Sequence, residues 1–232
     1  FMAAAHALPP QGVVEAVIDG VASAAPQAGI MVNLLGILSR TYGPEVAQQE
    51  LNALLPYSGQ IIGLDLAGDE ANFPAELFSA HFQRAQEAGL KITVHAGEAD
   101  GPESIWKSIE LLGASRIGHG LAALQDERLM ETMFEHQIGI ETNLTSNVQT
   151  SSVRDYASHP LRAFLKNGLL ATINSDDPAI SGINLRYEYD VAAPLAGLSH
   201  AEIRQAQVNA LECAFLKLKD RRVLLEKKKP TA

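Results

Sequence analysis

A single cysteine, Cys213, is all the thiol chemistry in this chain of 232 residues, and one thiol forms neither an intrachain disulfide framework nor a multi-thiolate metal cluster. That scarcity fits a reducing compartment, and the cytoplasm is the expected location. Basic residues are also in deficit. The 18 Lys and Arg against 27 Asp and Glu leave a formal charge of −9, the opposite of the basic excess found on nucleic-acid-binding surfaces. No apolar run approaches the roughly 18 to 20 residues of a membrane helix, and the first residues do not read as a basic-then-apolar targeting signal. The chain opens at Phe1-Met2-Ala3, inside what reads as a continuing segment, so something preceding it is expected. Nucleic acid, membrane and disulfide scaffolds are set aside, and the expected partner is a small molecule.

What the chain does contain is 47% hydrophobic residues, enough for one sizeable core, and residues 1–232 are expected to form one domain. Charge is uneven. Residues 217–232 hold seven Lys and Arg against two Asp and Glu, a local +5, which leaves −14 on the rest; this basic end is expected to be a solvated helix. Six short β-branched, apolar segments read as buried strands: Ile30–Leu38, Ile61–Leu66, Lys91–His95, Arg116–His119, Ile138–Thr142 and Leu169–Asn174. Between them lie helical patterns at Pro44–Leu55, Pro74–Ala88, Pro102–Leu112, Asp126–Gln137 and His159–Lys166, several opened by proline. Further helices are expected at Asn184–Ala196, Ser199–Phe215 and Leu218–Lys228, packed on the outside, with Ser199 and Glu202 spaced as a capping box. Gly89, Gly113, Gly139 and Gly168 fall between a helix and the next strand, where a left-handed cap is expected.

The strand ends fall 23 to 32 residues apart, the repeat of a parallel βα sheet. Ser39-Arg40, Asp65 with Gly68-Asp69-Glu70, His95 with Glu98, His119, Asn143 with Ser146-Asn147, and Asp176-Asp177 put polar residues at or just after the end of every strand. An open doubly wound sheet concentrates such groups at one switch point, whereas in a barrel every βα loop borders the same site. The expected fold is an α/β barrel of the (β/α)8 TIM type.

Three motifs carry chemistry. His95-Ala96-Gly97-Glu98 puts an imidazole at a strand mouth and a carboxylate on the following turn; Gly118-His119-Gly120 presents a second imidazole between two glycines; Asp176-Asp177-Pro178 places adjacent carboxylates after the last strand. Each alone has a plainer reading: a packed histidine, a tight turn, an aspartate capping the helix that Pro178 starts. Together they match a hydrolytic zinc site, where imidazole and carboxylate ligands leave one position open for water and a nearby Glu moves protons.

Asp65-Leu66-Ala67-Gly68-Asp69-Glu70, Thr93-Val94-His95-Ala96-Gly97-Glu98, Arg116-Ile117-Gly118-His119-Gly120, Leu144-Thr145-Ser146-Asn147 and Ile173-Asn174-Ser175-Asp176-Asp177-Pro178 resemble, in order, the signature segments of the adenosine deaminases of the amidohydrolase superfamily. The resemblance runs to about Phe215. It implies His95 and Asp176 as zinc ligands, Glu98 as proton donor to purine N1, and His119 as the group that orients the attacking water and helps to deprotonate it. It further implies Asp177 hydrogen-bonded to purine N7 and the Gly68 backbone against N3. The implied reaction is hydrolytic loss of ammonia from C6 of adenosine or deoxyadenosine, giving inosine or deoxyinosine. The other zinc deaminase type, with a Pro-Cys-x-x-Cys ligand pair, is excluded by the lone cysteine.

Two departures from that family stand out. Its first strand carries a His-x-His pair that this sequence lacks, so about the first two barrel strands are expected to be missing and the chain to be the C-terminal portion of a longer one. Thr142-Asn143 stands where a small residue or Cys is expected, a change read as local packing. Two alternatives are carried forward: a deaminase of adenine or an N6-modified aminopurine, and a noncatalytic barrel acting as a binding protein.

Overall fold

Leu64 and Leu66 are wholly inaccessible to solvent and Asp65 between them is 5% exposed, so neither face of this segment meets water. Parallel strands covered on both faces read as near-continuous apolar runs; all six predicted segments form parallel strands, the first of them only partly covered, with Ile37 exposed. The computed structural model describes residues 2–227. Its strands are β1 (Leu34–Ser39), β2 (Ile61–Ala67), β3 (Lys91–Ala96), β4 (Arg116–His119), β5 (Gly139–Thr142) and β6 (Leu170–Ile173). They form one sheet in which spatial order follows chain order, β1-β2-β3-β4-β5-β6, each parallel to the next. Sequential parallel pairing without a switch in order is barrel topology, not that of a doubly wound sheet.

Register brings the strand ends level: Ser39 pairs with Ala67, Ala96 with His119, and Thr142 with Ile173. Every βα turn therefore opens on the same rim. Beneath it the core runs through Leu38, Leu64, Val94, Ile117, Ile140 and Ala171 on the strands and Leu51, Phe82, Ile105, Leu129 and Phe164 on the covering helices. The helix His200–Cys213 lies against β6, where Asn209 Nδ2 donates to the carbonyls of Leu169 and Ala171 at 3.2 and 2.9 Å. Ser199 and Glu202 cap it reciprocally as expected, with Glu202 Oε2 accepting from the Ser199 N–H at 2.7 Å. The basic end forms a helix over Leu218–Lys227; Lys228, the last residue of the expected helix, lies outside the described residues.

Several boundaries shift for local reasons. β1 begins at Leu34, opposite Ile61 where its partner starts, and the Ile30, Met31 and Val32 expected in the strand are exposed. The expected Pro74–Ala88 helix divides into a 3-10 turn, Ala75–Phe78, and a helix, Ser79–Glu87, at buried Phe78. The expected Asn184–Ala196 helix contains a π segment, Glu188–Ala192, beginning at wholly buried Glu188. Gly89, Gly113 and Gly168 adopt the expected left-handed conformation at φ 84°, 69° and 75°, but Gly139 does not. Gln137 turns the chain at φ 54° instead. Gly139 answers a packing need, since a Cβ there would lie 2.7 Å from Cys213 Sγ.

No element was expected over residues 10–28, yet Pro10–Ala28 is a 19-residue helix. Its apolar stripe of Val13, Val14, Val17 and Ile18 faces Leu34, Leu54 and Ile61 across a cavity of about 150 Å³.

Candidate active site

His95 is the penultimate residue of β3, and its ring is set by the neighbouring strand: Nδ1 lies 3.1 and 3.0 Å from the two oxygens of Asp65 on β2. A carboxylate that takes the Nδ1–H leaves the Nε2 lone pair facing the rim, the arrangement that orients metal-binding histidines. Burial opposes a charged ring here, but Asp65, with Glu141 and Asp176 behind it, outweighs burial and holds the His95 pKa up at about 9. A metal at Nε2 therefore displaces a proton, and its affinity rises with pH. Gly118 makes room for this ring, because a Cβ at that position would lie 3.0 Å from His95 Nδ1.

His119 ends β4 at φ 61° and Asp176 follows β6 at φ 52°, left-handed conformations that non-glycine residues hold at a cost and that cluster at functional sites. They bring His119 Nε2 to 3.9 Å from Asp176 Oδ2. The His95 and His119 ring centroids are 5.0 Å apart, and one donor atom from each of His95, His119 and Asp176 lies within 4.8 Å of the others. Burial, more than the opposing pull of Glu98, lowers the His119 pKa and favours the neutral ring. An imidazole pair and a carboxylate at this spacing fit a zinc-type ion, which takes nitrogen and oxygen donors.

Glu98 stands three residues ahead of Gly101, the cap residue of the Pro102–Glu110 helix, and does not act as that helix's capping acid. Its Oε2 lies 3.4 Å from His119 Nε2, while Oε1 accepts from Asn147 Nδ2 at 3.1 Å and Ser152 Oγ at 3.0 Å. The turn beneath it is held by Glu70, whose carboxylate accepts from the N–H groups of Gly97, Glu98 and Ala99 and from Ser104 Oγ. Asp177 precedes the short helix Pro178–Ser181 without a side-chain cap bond, so the plainer capping reading of that motif is not what the geometry supports. Gly68, at φ 109°, admits no side chain because a Cβ would collide with Thr41 Oγ1. Gly68, His95, Glu98, His119, Asp176 and Asp177 all line one cavity of about 510 Å³, within the usual size of small-molecule sites. All six residues singled out in the sequence are thus brought together.

Other contributors were not recognised. Glu70 and Asn147 appear in the sequence as rim polarity and within signature segments, without a role of their own, and His159 only as a helix start. Asn143 is corrected from a packing residue: its Nδ2 lies 3.2 Å from His119 Nδ1 and donates to the Glu141 carbonyl. Arg40, wholly buried, donates to the carbonyls of Phe73 and His95 and ties the end of β1 beneath the site. A side chain that points inward from a loop leaves no periodic signal, so nothing in the spacing marks His159.

His159 supplies a pH test. Burial, with neighbouring His119 second, pushes its pKa down to about 4, below the roughly 6.5 of a free imidazole. The unfolded chain then takes up this proton first, so the contribution of neutral His159 is intact above about pH 6.5 and is lost as pH falls from there towards 4. Melting temperatures measured across that window are expected to fall less steeply in His159→Gln than in the wild type; equal slopes would contradict this assignment.

The adenosine deaminase family profile matches residues 1–229. A curated adenosine deaminase from Escherichia coli O1:K1 is 57% identical over 227 residues, covering 98% of this chain and 68% of that protein. The chain belongs to the adenosine deaminase family. Among solved structures, the adenine deaminase from Arthrobacter aurescens superposes with a TM-score of 0.85 at 27% identity, covering 97% of this chain and 74% of that one. A zinc-bound amidohydrolase from Burkholderia ambifaria gives a TM-score of 0.88 at 21% identity, over 95% and 62% of the two chains, and shares the fold. Family membership is metal-dependent membership, and a metal fits at His95 and Asp176 with His119 beside them.

Proposed function

We propose that the protein catalyses the hydrolytic deamination of adenosine and deoxyadenosine to inosine and deoxyinosine with release of ammonia, using one zinc ion held by His95 and Asp176. The observation that carries this reading is the convergence of His95, His119 and Asp176 within 4.8 Å, with Glu98 Oε2 3.4 Å from His119 Nε2, in a member of this family. Bound zinc supplies Lewis acidity, lowering the pKa of water to about 7.

The chain's own residues do the rest. Water adds at C6 and the exocyclic amine leaves as ammonia. Glu98 delivers a proton to N1, weakening the ring's C6–N1 double bond towards addition. His119, fixed at the strand mouth, donates its cavity-facing N–H to the water, which orients it and eases loss of its proton; that proton passes through Glu98, once it has protonated N1, to the departing amine. Asp177 and purine N7 share one proton between them, and the Gly68 backbone meets N3, which together hold the ring in the plane these two contacts define. The location read from the sequence, the cytoplasm, is kept in this proposal. It rests on the lone Cys213 and on the finding that no helix among the described residues is long and apolar enough to cross a membrane. The domain reading is kept likewise: residues 1–232 act as one catalytic barrel domain.

The test is a substrate panel of adenosine, deoxyadenosine, adenine and N6-methylated forms, followed by loss of absorbance and by product analysis. Adenosine and deoxyadenosine are expected to be converted with the highest kcat/KM. Turnover of adenine alone would transfer the assignment to the base deaminases, and turnover of none would favour a binding protein on a deaminase scaffold.

A further inference from the structure

Asn147 and His159 form a buried track behind Glu98 and His119 whose hydrogen-bond polarity is set from end to end. The Leu161 N–H donates to His159 Nδ1 at 3.1 Å, so Nδ1 is the acceptor and the neutral ring carries its proton on Nε2. Nε2 lies 3.2 Å from Asn147 Oδ1 and donates to it. The amide is thereby turned with its NH2 towards the cavity, where Nδ2 reaches Glu98 Oε1 at 3.1 Å and His119 Nδ1 at 2.9 Å. A His119 Nδ1 that receives an N–H is unprotonated, which places the ring proton on Nε2, facing Glu98 and Asp176. Asn143 Nδ2, 3.2 Å from the same Nδ1, acts in the same sense. Asn147 is wholly buried and His159 is 4% exposed, so bulk water does not compete for these bonds.

We propose that Asn147, locked in one amide orientation by His159, is a positioning residue that decides which nitrogen of His119 carries its proton and aims the Glu98 carboxylate with the other hydrogen of the same amide. The opposite amide orientation would set Oδ1 against the Glu98 carboxylate and draw the His119 proton to Nδ1, leaving a bare lone pair at Nε2. A histidine held in the wrong tautomer costs about 10⁴-fold in the serine protease triad. The catalytic consequence here rests on the deaminase reading above; the tautomer assignment stands without it. The helix that bears Asn147, Leu144–Gln149, is anchored from behind by Glu188, whose carboxylate accepts from the Thr145 N–H.

The experiment combines nitrogen NMR of histidine-labelled full chain, with and without added zinc, with adenosine kinetics. In the wild type, His119 is expected to show an unprotonated Nδ1 and a protonated Nε2. Asn147→Asp keeps the shape but offers only acceptors; it is expected to move the His119 proton to Nδ1 and lower kcat by about 10²-fold or more, with KM changed by less than about threefold. His159→Leu, which leaves Asn147 Oδ1 without its donor, is expected to lower kcat in the same way, and His159→Gln, which restores an N–H, to recover it to within about tenfold of wild type. Thermal melts compare the two His159 variants at equal folding. A wild-type His119 protonated at Nδ1, or an Asn147→Asp protein with unchanged tautomer and kcat, would overturn the proposal. The predicted tautomer in a protein that deaminates no purine would uphold the track and remove the function reading instead.

Discussion

Glu98→Gln is expected to lower kcat for adenosine by about 10²- to 10⁴-fold, the range that a positioned proton donor contributes, while leaving metal content and melting temperature close to wild type. The prediction is sharp because the substitution removes little else. A glutamine Oε1 still accepts from Asn147 Nδ2 and Ser152 Oγ, and the backbone of residues 97–99 stays anchored on Glu70. What is lost is the exchangeable carboxyl proton, together with the acceptor oxygen that faces His119 Nε2. Steady-state kinetics together with zinc analysis decide the matter. Turnover within tenfold of wild type would remove Glu98 from the proton path, and loss of zinc would move it into the ligand set.

Asp176→Asn is expected to weaken zinc binding by more than the 10- to 100-fold that loss of a residue supporting a metal ligand costs, and to abolish turnover at limiting metal. Asparagine is the informative replacement. Residue 176 sits at φ 52°, and Asn tolerates the left-handed region better than most side chains, so backbone relaxation does not obscure the loss of the anionic donor. Asp65→Asn provides the graded comparison: it leaves His95 in place but replaces the carboxylate that orients the ring with a neutral amide, and a loss within the 10- to 100-fold range is expected. Zinc titration with a competing chelator measures both. Equal affinities for wild type and Asp176→Asn would exclude Asp176 as a ligand.

How far the sequence could be read follows from where its information lies. The βα repeat was legible because both strand faces and one helix face are buried, which imposes apolar runs at regular spacing; β4 emerged residue for residue at Arg116–His119. The helix Pro10–Ala28 escaped notice although Val13, Val14, Val17 and Ile18 recur at helical spacing, because Gly12, Gly20 and Pro26 dilute the pattern. Among site residues, His95, Glu98, His119, Asp176 and Asp177 were found because strand ends in a barrel converge. Glu70 and Asn147 read in the sequence as polar rim residues within signature segments and no more, since what they do depends on which backbone amides and ring nitrogens lie opposite. His159 required knowledge of how a loop folds back twelve residues after Asn147, and no local pattern encodes that. The glycine at 139 teaches the converse: its neighbour in space, Cys213, is far away in sequence.

The same contact makes Cys213 chemically quiet. Its thiol packs against Gly139 and donates to the Leu170 carbonyl at 3.5 Å, and burial pushes its pKa up to about 12. At pH 7 little of the thiol is then thiolate, the form that alkylating and maleimide reagents attack. The native chain therefore offers labelling chemistry almost no background. A cysteine introduced at Ile180, which is 84% exposed on the cavity rim, would carry a fluorophore or spin label as the sole reporter of occupancy at the mouth of the site.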